Sequence, residues 1–203
     1  MKSIISDLIS IEAVKIETED FFTWTSGVRS PIYCDNRLTM SYPAIRKRIA
    51  RAFAEKIGEE VDVIAGCATA GIPHAAWIAD ALELPMVYVR GSRKKHGKGN
   101  QIEGVVRPGQ KAVVIEDLIS TGKSSIQAAE ALREAGVEVV EVLSIFTYGL
   151  DSAEEAFRDA DLTYRSLATY NELMEELNQR GTLSDEEHER MSMWRKNPYI
   201  FTS

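Results

Sequence analysis

Short apolar runs that alternate with helical patterns predict an α/β fold, a parallel twisted sheet flanked by helices. Several observations carry the prediction. Val61–Ala65, Pro85–Arg90, Lys111–Ile115 and Val137–Tyr148 read as strands, and the segments between them carry apolar residues at helical spacing. Glycine-bearing loops, Gly66–Gly71 and the turn at Gly122, join strand ends to helix starts. Strands of such a sheet are covered on both faces, so they read as continuous apolar runs. Ligands gather at the carboxyl ends of the strands, and Gly66, Arg90 and Glu116 all fall there.

Element by element, Ile4, Ile5, Leu8 and Ile9 recur at helical spacing. Pro43 opens a helix with Ile45, Ile49, Phe53 and Ile57 on one face and Gly58 near its end. Val61–Ala65 is followed by a helix from about Pro73 to Leu82. Lys111–Ile115 leads into a helix from Gly122 to Ala135, which Gly136 closes before the long strand Val137–Tyr148. From Asp151 onward the chain reads as mostly helical and acidic. No linker, repeat or low-complexity segment interrupts residues 1–203, so one domain is expected.

The 203 residues are enough for a substantial core without disulfides. Hydrophobic residues at 44% and charged residues at 27% are ordinary for a globular protein. A net charge of −7 argues against general nucleic-acid affinity, which shows as a basic face. Cys34 and Cys67 lack metal-ligand spacing and read as small buried residues. Asp7 and Glu12 interrupt the N-terminal stretch, so it lacks the apolar centre of a signal peptide. No run is long enough to cross a bilayer, and a cytoplasmic protein is expected.

The most informative stretch is Ala112–Ser125. A run of β-branched residues ends in Glu116 and Asp117, then Leu118, Ile119, Ser120, Thr121, Gly122, Lys123 and Ser124 lead into a helix. Backbone N–H groups at a helix start, reached through a glycine turn, form an anion site. Carboxylates only accept hydrogen bonds, which suits sugar hydroxyls. A sugar phosphate satisfies both halves. A nucleotide P-loop does not fit, because the glycine it needs five positions before Gly122 is Asp117. The blander alternative is an ordinary strand–turn–helix with surface acids and a capping hydroxyl.

This signature, an apolar strand, two acids and a Ser/Thr-Gly-x-Ser loop, resembles the phosphoribosyl pyrophosphate (PRPP) motif of type I phosphoribosyltransferases. Two further segments, Phe22–Arg37 and Arg90–Asn100, narrow the resemblance to the orotate phosphoribosyltransferases. The likeness runs through about Tyr148 and more weakly to the end. It implies the type I phosphoribosyltransferase fold, with the first forty residues as a small hood. It also implies that Glu116 and Asp117 take the ribose hydroxyls and that the loop through Ser124 holds the 5′-phosphate. Ala68, Thr69, Ala70 and Gly71 would contact pyrophosphate, though tight helix–sheet packing alone could require Gly66 and Gly71 of this loop.

The segment Arg90–Asn100 carries Arg90, Arg93, Lys94, Lys95 and Lys98 without an acid. It reads as a cationic lid over a polyanion, as a solvated loop, or as a nucleic-acid contact. By the resemblance Arg90, Lys94 and His96 bind PRPP, with Lys94, His96 and Asp117 as the catalytic set. The resemblance also implies a homodimer that shares this lid across subunits. Orotate is flat and carries a carboxylate, so Tyr33 and Arg37 are candidate neighbours, with Ser120 matching a hydroxyl that meets the base in relatives. His74 and His188 read as structural.

Two departures stand out. Thr25-Ser26-Gly27 replaces the hood Lys-Ser-Gly of many relatives, and Phe146-Thr147-Tyr148 replaces an Asp-Arg pair. The expected reaction is transfer of 5-phosphoribosyl from PRPP to N1 of orotate, in pyrimidine (UMP) biosynthesis, with Mg²⁺ travelling with the substrate and no dedicated protein cage. Alternatives are transfer to another base, or a PRPP-sensing regulator that binds nucleic acid. Against the regulator, Glu172–Arg190 holds seven acids and two arginines.

Overall fold

The side-chain alternation of extended chain builds the core. Val113, Ile115, Leu143 and Ile145 point to one side of a central sheet, while Ala112, Val114 and Val142 point to the other. All are buried. The computed structural model describes residues 3–24, 27–92 and 101–202.

Helix α1 (Ile4–Ser10) starts at Ser3, whose hydroxyl accepts the Ser6 N–H. Strands β1 (Val14–Ile16), β2 (Phe22–Thr23), β3 (Arg29–Ser30) and β4 (Ile32–Cys34) follow. β1 pairs antiparallel with β4 and β2 with β3, so two small ribbons make the N-terminal hood. A 3₁₀ turn (Asn36–Ser41) leads to α2 (Pro43–Ala54). Then come β5 (Val63–Cys67), α3 (Gly71–Leu82), β6 (Met86–Val89), β7 (Ile102–Glu103) and β8 (Lys111–Ile119). The chain continues through α4 (Lys123–Glu134), β9 (Glu138–Thr147), α5 (Asp151–Asp159), β10 (Tyr164–Thr169), α6 (Tyr170–Gln179) and α7 (Asp185–Lys196).

The central sheet has the order β10-β9-β8-β5-β6-β7. Its strands are parallel except β7, which runs antiparallel to β6. α1, α2 and α3 cover one face through Leu8, Ile49, Phe53, Ala75 and Ile78. α4 and α5 cover the other through Ala129, Leu132, Ala153 and Phe157. Each fully buried Leu, Ile or Phe side chain contributes about 1.5–3 kcal/mol. The predicted parallel sheet between helices is therefore present, with the N-terminal hood meeting the carboxyl end of β8.

Several boundaries differ from expectation, each for a physical reason. β8 continues past the two acids to Ile119, because Glu116, Leu118 and Ile119 remain registered against Ser144, Phe146 and Thr147 of β9. α2 ends at Ala54, where the Lys56 N–H turns back to the Phe53 carbonyl, so Ile57 packs on the core from beyond the helix. α3 begins two residues before Pro73, a position within the first turn that tolerates proline. The tail is mostly helical as expected, in α5, α6 and α7, and β10 within it adds an unexpected edge strand to the sheet.

The tail also returns to the hood. Trp194 is fully buried and packs edge-on against Trp24 and Tyr148, with centroids 5.8 and 5.6 Å away. Phe201 meets Phe21 at 4.5 Å, and the Arg29 N–H donates to Thr202 Oγ1 at 3.0 Å.

Candidate active site

β5 and β8 are neighbours, with Gly66 registered against Ile115, so the helices that follow them start side by side. α3 begins behind Ala70 and α4 behind Gly122, and neither N-terminus carries a side-chain cap. α6 and α7, by contrast, carry full capping boxes. The Ile72 N–H of α3 donates to the Thr69 carbonyl at 3.3 Å, and two helix starts without side-chain caps make adjacent anion sites above the sheet.

Glycine is required where these helices meet the strands. A Cβ on Gly71 would run into the Ile115 carbonyl oxygen, and one on Gly66 would lie 3.0 Å from the Ala75 Cβ. The packing explanation for these glycines therefore holds, and it is the same close approach that brings the start of α3 to the strand ends. Gly122 adopts φ +77°, and a Cβ there would lie 2.5 Å from Phe157. In the intervening loop, Thr69 is exposed, Ala68 and Ala70 are half-buried, and the Ala68–Thr69 peptide is cis.

The acid pair sits between the two helix starts. Glu116 is 5% exposed. Its Oε2 accepts from the hydroxyls of Ser124 (2.9 Å) and Ser125 (3.2 Å), and its Oε1 accepts the Asp117 N–H at 3.0 Å. Burial and the adjacent Glu116 carboxylate push Asp117 up to about 8 from its ordinary 3.8. Burial and the like charge thus favour a proton on the pair, which hydroxyl donors or a nearby cation would work against. The buried Cys67 thiol is raised by burial and by Glu116, and the Cys34 thiol by burial and by Asp117, so both are inert.

The hood grips this strand end. Asn36 Nδ2 donates to the Asp117 carbonyl at 2.6 Å, and the Thr39 hydroxyl donates to the Asn36 carbonyl at 2.6 Å. His74 Nε2 lies 3.5 Å from Thr39 Oγ1, and burial lowers this histidine to about 4, so it is neutral at pH 7. It supports the hood contact, as a structural histidine would. Arg37 pairs with Asp35 through two bonds of 2.6 and 2.8 Å, while Asp117 and Tyr33 also favour its charge. Tyr33 is 37% exposed beside Phe22.

The remaining sequence-predicted residues divide by exposure. Ser120 and Leu118 are half-buried, whereas Thr121, Lys123 and Ser124 are exposed. Ile119 is wholly in the core, so only its backbone can meet a ligand. Arg90 is 44% exposed and lies 3.5 Å from Glu103, a contact weak enough to be given up on binding an anion. Lys94 and His96 lie outside the described residues, as do Thr25 and Ser26. Asn36 and Ser125 belong to the site but were not assigned from sequence. The Ser124-Ser125 pair was a usable signal; nothing local marked Asn36. Among the described residues no group of three or more His, Cys, Asp or Glu forms a metal cluster, and no helix is long and apolar enough to cross a membrane.

Residues 40–172 match the family described as phosphoribosyl transferase domain. The chain is 57% identical over 199 residues to the orotate phosphoribosyltransferase of Oceanobacillus iheyensis, covering 97% of this chain and 98% of that one. Its fold superposes on the orotate phosphoribosyltransferase of Aeropyrum pernix with a TM-score of 0.76 at 29% identity, over 89% of this chain and 99% of that one. It also matches the Mycobacterium tuberculosis H37Rv orotate phosphoribosyltransferase solved in complex with PRPP, with a TM-score of 0.66 at 26% identity, over 83% and 96% of the two chains. With a family model over residues 40–172 and relatives more than half identical along nearly the whole chain, the protein belongs to the orotate phosphoribosyltransferase family.

Proposed function

We propose that the protein transfers the 5-phosphoribosyl group of PRPP to N1 of orotate, giving orotidine 5′-monophosphate and pyrophosphate in pyrimidine biosynthesis. The observation that carries the reading is the Glu116–Asp117 pair, with Glu116 buried and Asp117 half-buried, set between two helix starts without side-chain caps. PRPP has a phosphate at each end of a diol, and this arrangement offers an anion site on each side of an acceptor pair. Backbone N–H groups at the start of α4 hold the 5′-phosphate. Those of residues 68–71 hold the pyrophosphate. Asp117 and Glu116 take the ribose hydroxyls and favour the positive charge that develops on the ribose as pyrophosphate departs. Arg90, Lys94 and His96 neutralise the leaving group.

Mg²⁺ fits the same residues. A cation near the acid pair would offset the mutual repulsion that raises Asp117, and bound with PRPP it would supply Lewis-acid assistance to the departure of pyrophosphate. The proposal includes a homodimer with the lid shared between subunits, and a cytoplasmic setting.

The test follows orotate absorbance with purified protein, PRPP and Mg²⁺. Turnover is expected, and Lys94→Ala is expected to lower kcat by about 10²–10³, by analogy with removal of other preorganised charge-stabilising donors. Pyrophosphate release with a different base, and none with orotate, would overturn the assignment.

A further inference from the structure

We propose that the C-terminal segment Arg195–Tyr199 closes the base pocket and that Lys196 recognises the carboxylate of the incoming base. The inference rests on the phosphoribosyl-transfer reading above and names the residue that fixes its acceptor. A cavity of about 310 Å³ lies between hood, phosphate loop and tail, with Trp24, Ser120, Thr121, Asp151, Lys196 and Tyr199 on its walls. That volume accommodates a single heterocyclic ring, and the cavity opens beside the loop that would hold the sugar phosphate.

β9 ends at Thr147, and Tyr148 beyond it is 2% exposed and stacked on Trp24 at 5.2 Å, so this strand end offers the cavity no cation. A carboxylate held in the cavity needs a cation from another wall. Arg195 is committed elsewhere: its Nη1 donates to Asn171 Oδ1 at 2.6 Å, its Nε faces the Gly149 carbonyl at 3.4 Å, and it lies over the Tyr170 ring. Lys196 is exposed on the cavity wall, without an ion-pair partner among the described residues. The tail that carries it is anchored on both sides, by Trp194 in the aromatic cluster and by Phe201 and Thr202 against the hood.

The cavity also contains an acid, Asp151, which is not ion-paired with Lys196. A carboxylate alone would be repelled by it. Orotate carries a carboxylate at C6 and an N–H donor at N3, across the ring. A cation and an acceptor in one small cavity match that polarity, and they match an uncharged or cationic base less well.

The experiment measures steady-state kinetics for orotate and for its uncharged carboxamide, in the wild type, Lys196→Ala and Lys196→Arg. Lys196→Ala is expected to raise KM for orotate about tenfold to thirtyfold with KM for PRPP unchanged, and to lose most of the preference for orotate over the amide. Lys196→Arg should recover much of both. A KM for orotate within twofold of wild type in Lys196→Ala, with the preference intact, would overturn the assignment. Failure of the wild type to turn over orotate would instead sink the transfer reading, and this assignment with it.

Discussion

Replacing Asp117 with asparagine is expected to lower kcat by about 10²–10³ and, in the same variant, to raise the melting temperature of the free protein. The two effects have one cause. Burial beside Glu116 holds the Asp117 proton up to about 8, against 3.8 ordinarily. The folded chain therefore binds this proton more tightly than the unfolded chain does. The stability it contributes is fully present below about pH 4 and is lost as pH rises through about 8. Asparagine removes the like-charge term, a gain of about 1–2 kcal/mol, or roughly 2–8 °C in a chain of this size. Function has the opposite sign, because ribose hydroxyls need an ionised acceptor. The kcat/KM for PRPP should rise with pH and level off above about 8, and the residual activity of Asp117→Asn should lose that limb. A variant that is less stable than wild type, or a wild-type profile flat between pH 6 and 9, would contradict this.

Gly71→Ala should be the most damaging small substitution in the site. The added Cβ meets the Ile115 carbonyl, part of the β8 backbone one residue before Glu116, and neither group is a flexible side-chain end. α3 must move off the sheet, at about 2–3 kcal/mol and roughly 4–12 °C. The pyrophosphate loop moves with it, so PRPP affinity should fall as well. Gly58→Ala is the matched control. Its Cβ meets only the end of the Glu60 side chain, which can swing away, and a change within about 0.5 kcal/mol is expected. Denaturant midpoints that do not separate the two variants would show that the packing of α3 on β8 is looser than its geometry.

The sheet and its phosphate loop were legible because their signals are local. The apolar run Ala112–Ile115, the acid pair and Gly122 lie within a dozen residues, and each has one natural structural meaning. β10 was missed because Tyr164–Thr169 is an edge strand with mixed burial and an exposed Arg165, so it lacks either strand pattern; its pairing with β9 makes it a strand. Asn36 and Lys196 were invisible for a different reason. Asn36 reaches a carbonyl 81 residues away, and the tail meets the hood across 173 residues. Such contacts depend on the finished fold and leave no periodicity behind. Thr25 and Ser26 of the hood and residues 93–100 of the lid segment lie outside the described residues.

On the proposed mechanism Asp117 gives up a proton to receive the ribose of PRPP. Calorimetric titration of PRPP with Mg²⁺ at pH 7, in two buffers of different ionisation enthalpy, measures that proton directly. Wild type should release close to one proton more per PRPP bound than Asp117→Asn does. Equal release from the two proteins, with PRPP bound by both, would mean that the acid pair does not hold the ribose.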